Sequence, residues 1–326
     1  MIKGNHLRER YFEHLLKRPT DIDELRDIKL QILQESPNPQ YLYKYCSIYT
    51  ALKILDSGYI QLQPPDNFND PFDCLSNVGV WNQGSLFSPN KDELTYLDSL
   101  MKKLPSKFQL PFRFVNDLRT SYYYVISCFT TDHINTLMWS HYSDNHGAVC
   151  MEFDIMDILD HLHPCYYVDK MPLLNWQSKN INLALIKANA WNYEREWRYI
   201  TETIRPEMRI FGSASHDIYN TIHSLENFNQ NDYEKWDQAL KSILEDLEHI
   251  YNEQRKLKVR PTKIFLGLDF RKNYANVNSE AIVKQIEKNS KEHNIALHRI
   301  HARHNTFVLY DSVLQDIRQL FNPFLD

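Results

Sequence analysis

The amino-acid sequence predicts an α+β fold, in which a mixed and mainly antiparallel sheet forms the core and helical insertions interrupt it. Runs of strand length at 41–46, 122–129, 148–153 and 263–268 are rich in β-branched and aromatic residues. Segments between the strands, such as 279–291, have the apolar spacing of amphipathic helices. Strands occur near both ends of the chain and need sheet partners, which favours one body over two domains.

Composition narrows the possible classes of protein. The 326 residues are 43% hydrophobic and 13% aromatic, which is typical of a folded chain. A net charge of -5 gives no overall basic field, so contact with nucleic acid would need a local patch. The sequence has no apolar run of membrane length and no apolar signal segment, and its five cysteines form no CxxC. We therefore expect a cytoplasmic protein with reduced cysteines and no membrane association.

Glycine is scarce, with only 7 in the chain. The motifs GxGxxG and GxxxxGK[ST] are absent, which disfavours backbone phosphate cradles of the Rossmann and P-loop kinds. GxSxG and HExxH are absent too, so the usual α/β-hydrolase and zincin sites are not predicted. A nucleotide ligand would have to be held by side chains.

Residues 1–38 are predicted to form an N-terminal helical arm. Two helices are expected over 7–35, the second capped by Thr20 or Asp21. Residues 39–326 are predicted to form a single catalytic-type domain. Its expected elements follow in order: strand 41–46, helix 48–56 ended by Gly58, strand 59–62, loop 64–73, helical insertion 91–118, strand 122–129, helix 136–141, strand 148–153, strand 191–199, helical insertion 213–257, strand 263–268, helix 279–291, strands 295–303 and 306–310, and helix 311–321.

The segment 191–199, WNYEREWRY, is the most informative of these strands. Alternation would place Glu194, Glu196 and Arg198 on one face, with the two carboxylates about 7 Å apart. Such a pair either forms a salt-bridge ladder with the arginine or presents acids to a ligand. The simpler structural alternative is a half-exposed strand with Glu–Arg contacts worth ~0–1 kcal/mol.

Metal binding is a second possibility. Histidine and carboxylate ligands suit zinc, manganese or iron. The spacing His141-x-x-Asp144-x-His146 matches no metal motif with a physical basis. The favoured interpretation therefore assigns no metal ligand. The residues that this alternative would use are His141, Asp144, His146, Asp70 and Asp73.

Four motifs occur in order along the chain: LYKY (42–45), FNDPFD (68–73), MWSHYSDNHG (138–147) and WNYEREWRY (191–199). Together they resemble an uncharacterised bacterial family of unknown function, over about 40–202. Their layout is also similar to that of the ADP-ribosyltransferase superfamily. That resemblance implies a split sheet and a site that grips NAD, as substrate, with side chains.

The resemblance also implies roles for individual residues. Lys44 or Tyr45 would take the first position, Ser127 the second and Glu196 the third. Glu196 would stabilise an oxocarbenium-like transition state, and Glu194 would orient or deprotonate the acceptor. His141 is the third catalytic candidate. The residues expected to bind NAD are Lys44, Tyr45, Asn69, Asp70, Ser127, Trp139, Tyr142 and Arg198.

These expectations combine into an NAD-dependent ADP-ribosyltransferase, acting as a toxin or anti-phage effector. Its acceptor would be a nucleic acid or a protein, and an antitoxin or chaperone would be a plausible partner. Two alternatives stay open: a metal-dependent hydrolase or nuclease, and a non-catalytic module that binds a nucleotide or peptide.

Overall fold

The structure is a computed structural model that describes residues 5–17, 20–70, 73–74, 124–170, 180–203, 245, 248–274 and 280–321. The insertion expected at 91–118 lies outside the described residues, and so does most of the one at 213–257. None of the described helices is long and apolar enough to cross a membrane.

Helices and strands alternate irregularly along the described chain. Helices lie at α1 (Asn5–Leu16), α2 (Ile22–Leu33), α3 (Ile48–Ser57), α4 (Thr136–Tyr142), α5 (Asn180–Leu183), α6 (Phe270–Tyr274) and α7 (Glu280–His293). Short 3₁₀ helices lie at Pro65–Asn67, Met156–His161, Asn189–Glu194 and Ile317–Phe321. Strands lie at β1 (Tyr41–Cys46), β2 (Ile60–Gln61), β3 (Tyr124–Thr130), β4 (Val149–Asp154), β5 (Leu162–Pro164), β6 (Tyr166–Val168), β7 (Ile186–Ala188), β8 (Glu196–Glu202), β9 (Lys256–Leu257), β10 (Lys263–Leu266), β11 (Ala296–Ala302) and β12 (Leu309–Leu314).

Eight of these strands form one sheet in the order β12-β11-β10-β4-β1-β3-β8-β5. Within that sheet only β10 and β11 run parallel, and the other neighbours are antiparallel. The predicted α+β class, with a mixed and mainly antiparallel sheet, is therefore confirmed. The remaining described strands form the two-stranded pairs β2–β9 and β6–β7.

The pairing between neighbouring strands of the sheet is shortest between β1 and β3. These strands pair at Tyr43 and Thr130, whereas β1 pairs with β4 over all six of its residues. Five strands thus lie on one side of this junction and three on the other. The Lys44 ammonium reaches across the junction to the Ser127 hydroxyl at 3.1 Å and to the Cys128 carbonyl at 3.2 Å.

The N-terminal arm packs against the three-stranded side of the sheet. Asp21 caps α2 by accepting from the Glu24 N–H, as one of the two predicted caps. Arg8 is buried and donates to the main-chain carbonyls of Cys165 at 2.8 Å and Glu196 at 2.9 Å. Apolar side chains of the arm belong to the same core cluster as those of the sheet, so the arm is an integral part of the fold.

Two sequence predictions of local structure were wrong. The strand expected over 191–199 begins only at Glu196, because Asn189–Glu194 form a 3₁₀ helix and Arg195 is left-handed with φ 45°. The helix expected over 311–321 is instead the end of β12, followed by a 3₁₀ helix. Here pairing with β11 along the whole of β12 overrides helix propensity.

Candidate functional site

Five charged side chains meet in the interior beside β8: Asp73, Lys187, Glu194, Glu196 and Arg198. We call them the buried charge cluster. All are at most 8% exposed, and Arg198 is completely buried. Three carboxylates meet two cations, which leaves one negative charge uncompensated when all five groups are ionised. Because buried charges are stable only when paired, the geometry of each pair decides what the cluster can do.

All three nitrogen atoms of the Arg198 guanidinium donate hydrogen bonds within the cluster or to the adjacent backbone. Its guanidinium grips Asp73 with two parallel hydrogen bonds, Nη1 to Oδ1 at 2.9 Å and Nη2 to Oδ2 at 2.6 Å. Its Nε donates to Glu196 Oε1 at 2.8 Å, and Nη1 also donates to the Ala184 carbonyl at 2.7 Å. This planar, bidentate geometry is the strong form of an ion pair. It gives Arg198 a structural role, although the sequence suggested that it would contact NAD.

Lys187 is the second cation, on β7. Its ammonium donates to Glu196 Oε2 at 2.7 Å and to Glu194 Oε2, and it lies 3.8 Å from Asp73 Oδ2. It also lies over the Trp191 ring, 5.3 Å from the centroid. Burial opposes its charged form, but the Glu196, Glu194 and Asp73 carboxylates outweigh burial and raise its pKa. Lys187 therefore stays charged and bridges the two glutamates.

The two glutamates have opposite electrostatic environments. Burial raises the pKa of Glu194, the nearby charge of Glu196 raises it further, and Lys187 only partly opposes them. Burial acts in the same direction on Glu196, but Arg198 and Lys187 outweigh it and hold its pKa well below the usual range. Glu196 therefore stays ionised, with both carboxylate oxygens bound by Arg198 or Lys187. Of the two glutamates, Glu194 is therefore the one that can exchange a proton.

The left-handed Arg195 explains how both glutamates reach Lys187. A regular strand would point Glu194 and Glu196 to the same face, side by side. Instead the chain turns at Arg195, so that Glu194 approaches from a 3₁₀ helix and Glu196 from a strand. A non-glycine residue in this conformation is strained, and such strain is common at functional sites.

Tyr142 connects the cluster to the partly exposed rim of the site. Its hydroxyl donates to Glu194 Oε1 at 2.6 Å and accepts from the Asn69 amide at 3.3 Å. Burial and the Glu194 charge both raise the pKa of Tyr142, which keeps the phenol protonated. Asn69 is exposed and Tyr142 is half-buried. Hence three predicted site residues, from the FNDPFD loop, helix α4 and the 3₁₀ helix, are brought together.

His141 lies on the same rim. Its Nδ1 is 2.9 Å from the Tyr193 hydroxyl, and its ring makes an edge contact with Tyr193. Tyr193 is in turn 6.1 Å from Trp191, centroid to centroid. His141 is exposed, while both aromatic residues are half-buried. These rings form a polar and aromatic border to the cluster, large enough to contact a planar ligand.

Other predicted site residues lie elsewhere. Ser127 pairs with Tyr199, whereas Glu196 pairs with Thr130, three residues along β3. Because side chains alternate along a strand, Ser127 and Glu196 face opposite sides of the sheet. Ser127 and Lys44 are close together, but they are not joined to Glu196 as the three-position layout implied.

Tyr45 and Trp139 are core residues. They pack edge to face at 5.1 Å, with Trp139 donating its indole N–H to the His133 carbonyl at 2.8 Å. Tyr45 donates to the Asp132 carbonyl. Asp70 is buried in the FNDPFD loop. Tyr45 and Trp139 therefore fit the simpler expectation that buried aromatic residues pack the core.

The metal-binding alternative finds no support. Among the described residues, no group of three or more His, Cys, Asp or Glu side chains is placed to hold a metal ion. The residues proposed for such a site do not converge: Asp73 is bound to Arg198, and His146 contacts Ser140.

Sequence reasoning missed Lys187, whose position at the centre of the cluster depends on the fold. A signal was present, since it is the one charged residue in the apolar run LALIKANAW at 183–191. A lone lysine in a buried strand needs carboxylate partners. Asp73 was noticed only as a metal ligand.

Comparison with curated proteins gives no match, and neither does comparison with solved structures. Residues 138–199 match a family model described as "Protein of unknown function (DUF2971)". The matched segment contains Tyr142, Lys187, Glu194, Glu196 and Arg198. It does not contain Asn69 and Asp73, which the fold brings to the same place. The part of the chain that carries most of the candidate site is therefore similar to an uncharacterised domain family.

Proposed function

We propose that the protein is an NAD-dependent ADP-ribosyltransferase in which Glu194 contacts the substrate and Glu196 is a supporting anion. This reverses the roles that the family resemblance implied. The observation that carries the proposal is the contrast between the two glutamates. Glu196 is saturated by two cations, whereas Glu194 has a raised pKa and accepts from the hydroxyl of a rim residue.

The contact between Tyr142 and Glu194 indicates the chemistry. Glu194 Oε1 accepts a hydroxyl donor at 2.6 Å, and a ribose hydroxyl is a donor of the same kind. Cleavage of the nicotinamide–ribose bond develops positive charge on the ribose. A cluster with one uncompensated negative charge would stabilise that charge in a site of low dielectric. The rim of His141, Tyr193 and Trp191 would stack against the nicotinamide or adenine ring.

Lys44 is not assigned to the NAD site in this proposal. Its ammonium donates to Ser127 and to the Cys128 carbonyl, and Ser127 lies on the face of the sheet opposite Glu196.

Labelled NAD tests the proposal directly. The pure protein would be incubated with bacterial lysate and NAD labelled on the adenylate phosphate, and released nicotinamide would be measured in parallel. We expect label on a macromolecule, and its removal by protease or nuclease identifies the acceptor class. Glu194→Gln should abolish both signals. Glu202→Gln is the matched control, because Glu202 is exposed at the far end of β8, the strand that follows Glu194.

Full activity of the Glu194→Gln variant would overturn the role of Glu194. NAD binding without label transfer or nicotinamide release would favour the non-catalytic module instead. Activity lost in Glu196→Gln but kept in Glu194→Gln would restore the assignment that the family resemblance implied.

A further inference from the structure

Three consecutive residues that are not glycine adopt the left-handed conformation just after helix α4. Asp144, Asn145 and His146 have φ angles of 46°, 52° and 67°. L-amino acids visit this region as single residues and very rarely in succession. The turn is held by hydrogen bonds from the His146 N–H to the Trp139 carbonyl, 3.0 Å, and from the Asp269 N–H to the His146 carbonyl, 3.0 Å.

Neighbouring segments pack closely against this turn. A Cβ atom on Gly267 would lie 2.1 Å from the His146 carbonyl oxygen. A Cβ atom on Gly147 would lie 1.8 Å from the amide nitrogen of Asn273. The chain is therefore in close contact with its neighbours at the C-terminal end of the turn, at His146 and Gly147. Strain maintained in this way points to a function for the side chain that it positions.

That side chain is the His146 imidazole. Its Nε2 lies 3.1 Å from the Ser140 hydroxyl, and its ring lies nearly parallel to the Trp139 indole. Its Nδ1 is buried and has no hydrogen-bond partner among the described residues. Asp269 is close enough to act electrostatically on the ring. Ser140, His146 and Asp269 are all half-buried.

The imidazole is suited to accept a proton. Burial lowers the pKa of His146, and the Asp269 carboxylate only partly opposes this effect. The ring is therefore neutral near pH 7. A hydroxyl that donates to Nε2 requires the ring proton on Nδ1.

We propose that Ser140 is a nucleophile, activated by His146, that reacts with carboxylic esters. Ser140 Oγ would form a bond to the ester carbonyl carbon while its proton passes to His146 Nε2. The alkoxide would leave as the C–O bond breaks and would take that proton as an alcohol. Water would then hydrolyse the acyl-serine by the same path, which regenerates the Ser140 hydroxyl. This activity does not depend on the Glu194 site.

The chain contains a matched control for this pair. His301 Nε2 lies 2.8 Å from the Ser312 hydroxyl, on the regular antiparallel strands β11 and β12. That pair has the same two functional groups and greater exposure, but no left-handed turn.

A fluorophosphonate probe tests the proposal, with the labelled serine located by peptide mass spectrometry. Attack by Oγ forms an O–P bond and breaks the P–F bond, so that fluoride leaves and His146 takes the proton. We expect labelling at Ser140 and at least tenfold less at Ser312. His146→Asn should slow labelling about 100-fold, since general-base catalysis typically contributes at least that much. Asparagine tolerates the left-handed conformation, which favours retention of the turn.

Absence of label on Ser140 in the wild-type protein would overturn the proposal, and so would equal labelling of Ser140 and Ser312. A wild-type labelling rate in His146→Asn would also contradict it. The comparison of the two serines needs no variant and remains decisive if His146→Asn does not fold. Hydrolysis of p-nitrophenyl acetate that Ser140→Ala abolishes would extend the result to esters.

Discussion

Tyr142 donates a 2.6 Å hydrogen bond to Glu194, across 52 positions of sequence. The bond joins helix α4 to the 3₁₀ helix that precedes β8. It also connects the rim of the site to the buried charge cluster. Because Tyr142 supports the ionised form of Glu194, it sets the proton affinity of the carboxyl group that we propose for catalysis.

Replacing Tyr142 with Phe should therefore change the pH dependence of activity. Loss of the hydrogen bond raises the pKa of Glu194 further, so the carboxylate becomes protonated at higher pH. Activity that requires ionised Glu194 falls as pH drops through that pKa. We expect the acid limb of the NAD-cleavage profile to move to higher pH in Tyr142→Phe. Tyr310→Phe is the control, because Tyr310 lies on the edge strand β12. An unchanged profile would contradict this link.

Glu194 and Glu196 should affect stability in opposite directions. The pKa of Glu194 is raised by folding, so its stabilising effect is present below its unfolded pKa and is lost as pH rises through the folded value. At neutral pH we expect Glu194→Gln to increase the free energy of unfolding by about 1 kcal/mol. Urea unfolding of the wild-type protein and the Glu194→Gln variant at pH 7 measures this difference in the free energy of unfolding.

The pKa of Glu196 is lowered by folding, so its contribution is present above its unfolded pKa and is lost as pH falls through the folded value. Glu196→Gln removes an anion from two buried cations and should destabilise the fold by about 3–5 kcal/mol at pH 7. Equal effects of the two substitutions would show that the environments of these glutamates do not differ as described.

Arg198→Met should be strongly destabilising. It leaves Asp73 and Glu196 buried without their main cation, which typically weakens a fold by about 3–5 kcal/mol. Arg26→Met is the matched control, since the Arg26–Asp160 pair is exposed and worth ~0–1 kcal/mol. Both values come from denaturant unfolding. A small effect of Arg198→Met would mean that solvent reaches the cluster.

The N-terminal arm should be essential for stability. Arg8→Met removes the Arg8 donor from the buried carbonyl of Cys165, at a cost of about 1–3 kcal/mol. The Glu196 carbonyl loses one donor but still accepts from the Cys165 N–H at 3.0 Å. Arg10→Met, on the exposed side of the same helix, should have little effect. Thermal unfolding of the two variants tests this difference. Equal melting temperatures would contradict the prediction that the arm contributes to the stability of the fold.

Local structure was largely predictable where short-range signals act. Strand β1 has the predicted bounds, Asp21 caps α2, and Gly58 ends α3 in the left-handed conformation with φ 72°. Caps and strand periodicity depend on a few neighbouring residues, which the sequence displays directly. The helix predicted at 311–321 was wrong because cross-strand pairing with β11 is not a local signal.

The candidate site was predictable only in part. The motifs containing Asn69, Tyr142 and Glu194 were each noticed, and the fold brings them together. Ser127 was also noticed, but its register on β3 places it on the face opposite Glu196. Register is decided by long-range hydrogen bonding, and one position of shift exchanges the two faces of a strand.

By itself the sequence determined the class of fold, local features such as the bounds of β1 and the cap of α2, and several residues of the candidate site. The tertiary structure alone decided which glutamate is neutralised and which can exchange a proton. That distinction depends on Lys187, and on Asp73, which binds Arg198 across 125 positions of sequence. Proton affinity follows burial and nearby charge, and both arise only when distant segments meet in the folded chain.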